Sequence, residues 1–250
     1  MAKITSPRLN VVDRLCRKLA PMVRRELGEI SRQLVQSGSH GKQAMDLAHK
    51  LSQQIAAELT AAYPQDGITI GDTAVQASQG PMQWFINPLG GIENLAHGGE
   101  DIYVLFLIQH EGLPVEAAVY APLTDGLAQI QKGGGAFGFQ SRLRVSGRLD
   151  MAGTLLRFFP AADGAGRNSA ILGKLANSKA QYRISGAAAL DILAAAGGQA
   201  DALIAADLPP AEAGLAHLCM LESGGKCTEH NGTLILSNAK LEAQLSKLLA

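Results

Sequence analysis

Three observations predict a layered α/β (α+β) sandwich. Two N-terminal stretches carry apolar residues at helical spacing, and a β-rich middle follows them. The C-terminal part then alternates short strands with alanine-rich helices. The expected organisation is a single domain over residues 1–250. Its first sub-lobe, about 1–148, would set helices against an antiparallel sheet, and a smaller α/β lobe would follow at 149–250. No linker, internal repeat or low-complexity tract interrupts the chain.

The first helix is predicted from Val11 to Val35, where Val11, Val12, Leu15, Leu19, Met22, Val23, Leu27, Ile30 and Leu34 recur at helical spacing. Pro21 is expected to kink it or to start a second helix, because proline has no N–H to donate. Residues 37–42 (SGSHGK) read as a loop. Asp46 to Tyr63 reads as a second helix with Leu47, Leu51, Ile55 and Leu59 on one face, ended by Pro64, Asp66 and Gly67. Ile68 to Ile70 opens the β-rich part. Asp101 to Gln109 is a nearly continuous apolar run, as a strand buried on both faces requires. Glu111-Gly112 turns the chain into a returning strand, Val115 to Tyr120, and Pro122 to Gly126 turns it again. Leu127 to Gln131 and Leu143 to Val145 are expected strands. In the C-terminal lobe, strands are expected at Thr154–Phe159, Ala202–Ala205 and Thr233–Leu236. Helices are expected at Ser169–Asn177, Ala187–Gly197 and Ala211–Leu221.

Composition narrows the function classes. Hydrophobic residues make up 47% and charged residues 18%, as in soluble globular chains, and the formal net charge is zero. Bulk charge therefore directs the chain to neither nucleic acid nor an anionic membrane. A basic cluster on the first helix (Arg14, Arg17, Lys18, Arg24, Arg25) is the local exception and a candidate contact surface. There is no apolar run of membrane-spanning length and no apolar signal core, so a cytoplasmic protein without a membrane partner is expected. The three cysteines (Cys16, Cys219, Cys227) show no CxxC spacing and read as reduced thiols. Gly133 to Gly138 formally matches GxGxxG. The following GFQSRLRVS looks like a strand rather than a helix, so a hairpin is expected instead of a dinucleotide site.

One ordered set of short motifs carries more information. It runs Ile70-Gly71-Asp72-Thr73, then Asn87-Pro88-Leu89-Gly90-Gly91-Ile92 with Asn94, His97 and Gly98. Next come Gly112, Pro114, Val119, Tyr120 and Pro122, then Gly133-Gly134-Gly135-Ala136 and Gly186-Ala187-Ala188-Ala189-Leu190-Asp191. Ala211-Glu212-Ala213-Gly214 leads finally to Glu222-Ser223-Gly224-Gly225. In this order the set resembles the inositol monophosphatase family of Mg²⁺-dependent phosphomonoesterases. That family carries G-E-E, D-P-(I/L)-D-G-T, N-F-x-H-G, G-x-P-x-x-x-V-x-Y-x-P, G-x-G-A, G-S-A-A-L-D, W-D-x-A-A-G and E-A-G-G. The resemblance covers about Asp46 to Gly225. It implies the αβαβα sandwich of the inositol monophosphatase and sugar phosphatase type, with the site at the junction of the lobes.

The resemblance also implies a chemistry that these residues only partly supply. In such a site, Mg²⁺ ions held by carboxylates clamp the phosphate and activate a bound water. Carried over by position, the first acid becomes Asp72 and the next becomes Thr73. The first loop aspartate becomes Asn87 and the second becomes Gly90. The water-positioning threonine becomes Ile92, and the later tryptophan-linked aspartate becomes Glu212; a two-residue shift would put Pro210 there instead. Leu89 keeps its carbonyl. On the substrate side, the resemblance assigns Gly91 and Ala187, the latter in place of a serine. No intact catalytic residue is expected at positions 87, 90 and 92, and Asp72, Leu89 and Glu212 read as a vestigial metal set.

The resulting expectation is a family member that keeps the fold without the phosphatase activity, serving a binding or regulatory role. No cofactor is expected in that case. Expected partners are a second copy of the chain, another protein or a small phosphorylated ligand, with no direct nucleic-acid contact. The alternative is a Mg²⁺-dependent phosphomonoesterase acting on an inositol, sugar or nucleotide phosphate through an altered metal site. A third reading is a small-ligand binder using the vacated cleft.

Overall fold

The structure, a computed structural model, describes residues 6–37, 41–138 and 141–249; side chains from 30 to 37 are outside that description. Ile30, Leu34 and most of the SGSHGK loop therefore fall outside the described residues. The chain divides into two compact units, Met1–Lys132 and Gly133–Ala250. The division comes earlier than the lobe boundary near residue 148 because groups of the second unit hold the segment after Lys132. Glu222 accepts from the N–H of Gly133 at 2.7 Å and of Gly135 at 2.9 Å, and Val145 N–H donates to the Ser223 carbonyl at 3.3 Å.

The first unit opens with α1 (Pro7–Ser37) and α2 (Gly41–Ala62). Helix α1 buries Leu9, Val12, Leu15, Cys16, Leu19, Val23 and Leu27. It runs through Pro21 as one helix, so no second helix starts there. Pro21 is exposed, so water can reach the carbonyl that loses its donor, while the buried stripe on the other side holds the helix together. Helix α2 starts at Gly41, inside the expected loop, and buries Ala44, Leu47, Leu51, Ile55 and Leu59. At roughly 1.5–3 kcal/mol per buried aliphatic side chain, that stripe is ample to seat the helix.

The unit's strands are β1 (Gly67–Ile70), β2 (Thr73–Gln76), β3 (Met82–Gly90), β4 (Tyr103–His110), β5 (Leu113–Ala121) and β6 (Gly126–Gln131); the short α3 (Ile92–Ala96) joins β3 to β4. Their spatial order is β2-β1-β3-β4-β5-β6, with β1 parallel to β3 and the other neighbours antiparallel. Strand β4 is buried from Tyr103 to Ile108, as its apolar run requires. Glu111 and Gly112 both have positive φ (50° and 78°), which suits the tight turn between β4 and β5. Strands β2 and β3 were not legible in the sequence. Asn87 to Gly90 is the end of β3.

A buried carboxylate joins the helices to this sheet. Asp66 Oδ2 accepts from Trp84 Nε1 at 2.9 Å and pairs with Arg8 Nη2 at 3.2 Å, and the Tyr63 ring lies 5.2 Å from the fully buried Trp84 ring. The basic cluster on α1 is largely charge-compensated. Arg17 pairs with Asp13, Lys18 with Glu58, Arg24 with Asp125 and Arg25 with Glu26.

The second unit contains β7 (Gly135–Gly138), β8 (Ser141–Arg142), β9 (Leu155–Phe159), α4 (Ala165–Ala176), β10 (Gln181–Arg183), α5 (Ala188–Ala196), β11 (Ala202–Ala205), α6 (Pro210–Ser223), β12 (Lys226–His230), β13 (Thr233–Ser237) and α7 (Ala239–Leu249). Its five-stranded sheet has the order β10-β9-β11-β13-β12, with β9 parallel to both β10 and β11. Leu156, Phe158, Ile171, Leu175, Ile204, Ile235, Leu241 and Leu245 form its core. Glycines 133–135 turn into strand β7, so the formal GxGxxG match opens no helix. Residues 143–145 do not form the expected strand; β8 ends at Arg142, and Leu143 N–H returns to the Ala136 carbonyl. Strand β8 lies within GFQSRLRVS, the segment expected to be a strand, whereas strands β10 and β12 and helix α7 were not anticipated. All three cysteines are free thiols, and burial pushes those of Cys219 and Cys227 up to about 12. No helix among the described residues is long and apolar enough to cross a membrane.

Candidate functional site

The candidate site in the first unit is built where β3 leaves the sheet. Strand β3 pairs with β1 only as far as Ile86, and its pairing with β4 shifts register between Asn87 and Gly90. Pro88 and Leu89 fill this bulge, where proline's missing donor costs no ladder bond. Asn87 Oδ1 accepts from Leu89 N–H at 3.2 Å, an Asx-type turn that shapes the bulge. The side-chain oxygen of Asn87 thus serves the backbone, and Leu89 packs its side chain inward at 5% exposure.

Beyond the bulge, Gly91 adopts φ 75° and caps α3. A Cβ on Gly91 would come closer than 3.0 Å to the Asp101 carbonyl oxygen. Asn94 Nδ2 donates to that same carbonyl at 3.0 Å, and His97 Nδ1 lies 2.8 Å from the Glu93 carbonyl. Gly91 and Asn94 therefore have a structural reason to be present: both are fitted to one peptide group. Ile92 is the first residue of α3, is half-buried and brings no hydroxyl. Asp72 lies in the exposed two-residue turn between β1 and β2, beside Gly71 at φ 56°.

Gly90 is covered. It pairs across the ladder with Tyr103, and a Cβ built on it would meet Tyr103 Cζ and both Cε atoms at less than 3.0 Å. The Tyr103 ring is 3% exposed. Sequence reasoning missed Tyr103, because only the pairing of β3 with β4 puts it opposite Gly90.

The second unit holds the other two assigned positions. Ala187 is fully buried just before α5, and it has no side chain to cap that helix. Just upstream, Ser185 Oγ accepts from Ala187 N–H at 3.0 Å and donates to Asp191 Oδ2 at 2.6 Å, while Asp191 faces Arg157 at 3.5 Å. Glu212 lies in the first turn of α6 with no exposed surface, where the helix dipole favours a carboxylate. Pro210, the alternative position, is exposed at the start of the same helix.

These residues do not fit a magnesium cluster. Mg²⁺ takes hard oxygen ligands in near-octahedral geometry and gains most from carboxylates. Across β3 and α3, the positions assigned to metal and water present an amide already tied to Leu89 N–H, a glycine under an aromatic ring and an isoleucine. Asp72 and Glu212 are the two acids of the assigned set. Among the described residues, no three His, Cys, Asp or Glu side chains gather in a group that could hold a metal ion.

The fold and the ordered glycine and loop elements define a phosphatase-type α/β sandwich. The model of the inositol monophosphatase family matches residues 5–249, and the chain belongs to that family. One relative, a putative Nus factor SuhB of Neisseria meningitidis serogroup B, is 27% identical, with 98% of each chain covered. Another, an inositol-1-monophosphatase of Mesorhizobium japonicum, is 28% identical over 96% of this chain and 94% of that one. The crystal structure of the extragenic suppressor protein suhB of Bartonella henselae matches with a TM-score of 0.84 over 98% of each chain at 23% identity, which establishes the common fold.

Proposed function

We propose that this chain is a pseudophosphatase: an inositol monophosphatase family member that keeps the scaffold, lacks metal-dependent hydrolysis and acts by binding. One observation carries the reading. The position that the resemblance assigns to the second loop carboxylate is a glycine with an aromatic ring packed on it. Around it, Asn87 has lost the charge of its counterpart and Ile92 the hydroxyl. An ion at this loop would be under-neutralised, and a water beside it would have no side chain to orient it.

The relatives support a binding role without defining it, since some are named as Nus factors and others as phosphatases. A homodimer, a protein partner and cytoplasmic residence belong to this proposal, as does the absence of direct nucleic-acid contact. The ion-paired state of the α1 cations supports the last point. A second reading retains Mg²⁺-dependent phosphomonoesterase activity through an altered metal site. The complete burial of Glu212 at a helix N-terminus is the observation in its favour.

Phosphate release from a panel of inositol, sugar and nucleotide monophosphates, with Mg²⁺ or Mn²⁺, decides between the two. The pseudophosphatase reading expects release no faster than in the protein-free control. Metal-dependent turnover in the ordinary range of enzymes, on the order of 1–10³ s⁻¹, would establish the second reading.

A further inference from the structure

We infer that Tyr103 is a steric plug for the lost carboxylate position, so that Gly90 and Tyr103 form an interlocked pair that excludes the family's metal set by shape as well as by charge. The inference rests on the assignment of Gly90 to the second loop aspartate, and it deepens the pseudophosphatase reading. If the carboxylate had simply been removed, a Cβ on Gly90 would enter open space. Gly71 and Gly112, for example, have nothing within 4 Å of such an atom. At Gly90 the same atom would fall against the Tyr103 ring at Cζ and both Cε positions.

Several features make the ring hard to displace. Tyr103 is the first residue of β4 and stands directly across the ladder from Gly90, where neighbouring side chains approach closely. It is 3% exposed, and Ile102 and Val104 on either side are buried as well. An aromatic ring covering a cross-strand glycine is a recognised way of stabilising a glycine within a sheet. The ring shields the Gly90 backbone, and the absence of a side chain on Gly90 gives the ring its seat. Each residue therefore penalises reversion of the other. Restoring aspartate at 90 alone would require the buried ring to move, and removing the ring alone would open a void beside a glycine.

This predicts a specific epistasis. Thermal unfolding in EDTA of wild type, Gly90→Ala, Tyr103→Ala and the double variant measures it without reference to activity. Gly90→Ala is expected to lower Tm by roughly 4–10 °C, through overpacking of a buried strand pair. Tyr103→Ala is expected to lower it as well, and the double variant should melt no lower than Tyr103→Ala alone. Additive losses would overturn the interlock. A metal arm uses Mn²⁺ binding to two repaired proteins. One carries Asn87→Asp, Gly90→Asp and Ile92→Thr, and the other adds Tyr103→Ala. Mn²⁺ binding at least tenfold tighter in the four-site protein supports the plug, and equal affinity in the two would refute it. Failure of the parent reading would show elsewhere, as metal-dependent turnover by the wild type.

Discussion

Two glycine-rich segments of the same family pattern have fared differently. In the first unit, Asn87 to Ile92 keeps its backbone supports and carries an amide, a glycine and an isoleucine at positions 87, 90 and 92. In the second, Gly133 to Gly138 and Glu222 to Gly225 keep every internal support. Glu222 holds two backbone N–H groups of the first glycine turn, and Gly224 closes α6 in the left-handed conformation at φ 83°. A Cβ on Gly225 would strike Met220 and Val145. Even within the first segment, the survivors are the residues the backbone needs, namely Pro88 in the bulge, Gly91 at positive φ and Asn94 on the Asp101 carbonyl. Those replaced are the ones to which the resemblance assigns metal or water. The comparison teaches that motif survival here reports folding constraints.

The largest effect should come from a survivor of the degenerate loop. Gly91→Ala forces a Cβ onto the Asp101 carbonyl at a positive φ that alanine disfavours. Strain and clash together should cost about 3–5 kcal/mol in urea unfolding. A cost under about 1 kcal/mol would mean that the loop is slack, and the contrast with the second unit would lose its basis. Next comes the support in the second unit. Glu222→Ala leaves the N–H groups of Gly133 and Gly135 without their acceptor, and about 2 kcal/mol of destabilisation is expected after allowing for partial exposure. Glu222→Gln should recover part of it, since its amide oxygen can still accept one of the two bonds.

How much of this was legible follows from where each signal lies. Helices α1 and α2 and strand β4 declare themselves through apolar spacing that burial then honours. The continuity of α1 through Pro21 was not legible, because it depends on which side of the helix faces water. The end of β3 was not legible, because Asn-Pro and Gly-Gly are turn signals and a bulge uses the same residues inside a strand. Helix α7 was overlooked although Leu241, Leu245 and Leu248 recur at helical spacing. The ordered motifs disclosed the family. Tyr103 was invisible because its role exists only once Gly90 and β4 are in register. Ser185, whose hydroxyl accepts from Ala187 N–H and donates to Asp191, was overlooked for the same kind of reason: it acts from two residues upstream of the motif position.

A pH series sharpens the comparison on α6, the helix that carries Glu222. The Cys219 thiol on this helix is fully buried, and burial raises it from its ordinary 9.0 to about 12. A raised thiol pKa means that the fold favours the neutral form. The stabilisation is complete below pH 9 and is lost as the pH climbs from 9 towards 12, because the unfolded thiol ionises first. The slope is about 1.4 kcal/mol per pH unit for one thiol. Between pH 8 and pH 10, wild type should therefore lose about 1.4 kcal/mol more stability than Cys219→Ala, with both measured by urea unfolding under reducing conditions. Equal losses would mean that α6 admits water to the thiol, and the supports around Glu222 would then be looser than their distances imply.

The smallest effect is expected at positions 87 and 92. Asn87→Asp preserves an oxygen that can accept from Leu89 N–H, and Ile92→Thr exchanges similar volumes at a half-buried site. Each should change stability by no more than about 1 kcal/mol, and the pair together should leave phosphate release at the control level, because Gly90 and Tyr103 remain. Small costs at 87 and 92 beside a large cost at 90 would separate two kinds of loss within six residues. The first kind could be reversed by single substitutions, whereas the second is fixed by packing. If Asn87→Asp instead proves as costly as Gly91→Ala, the bulge depends on the uncharged amide itself, and Asn87 belongs with the structural survivors.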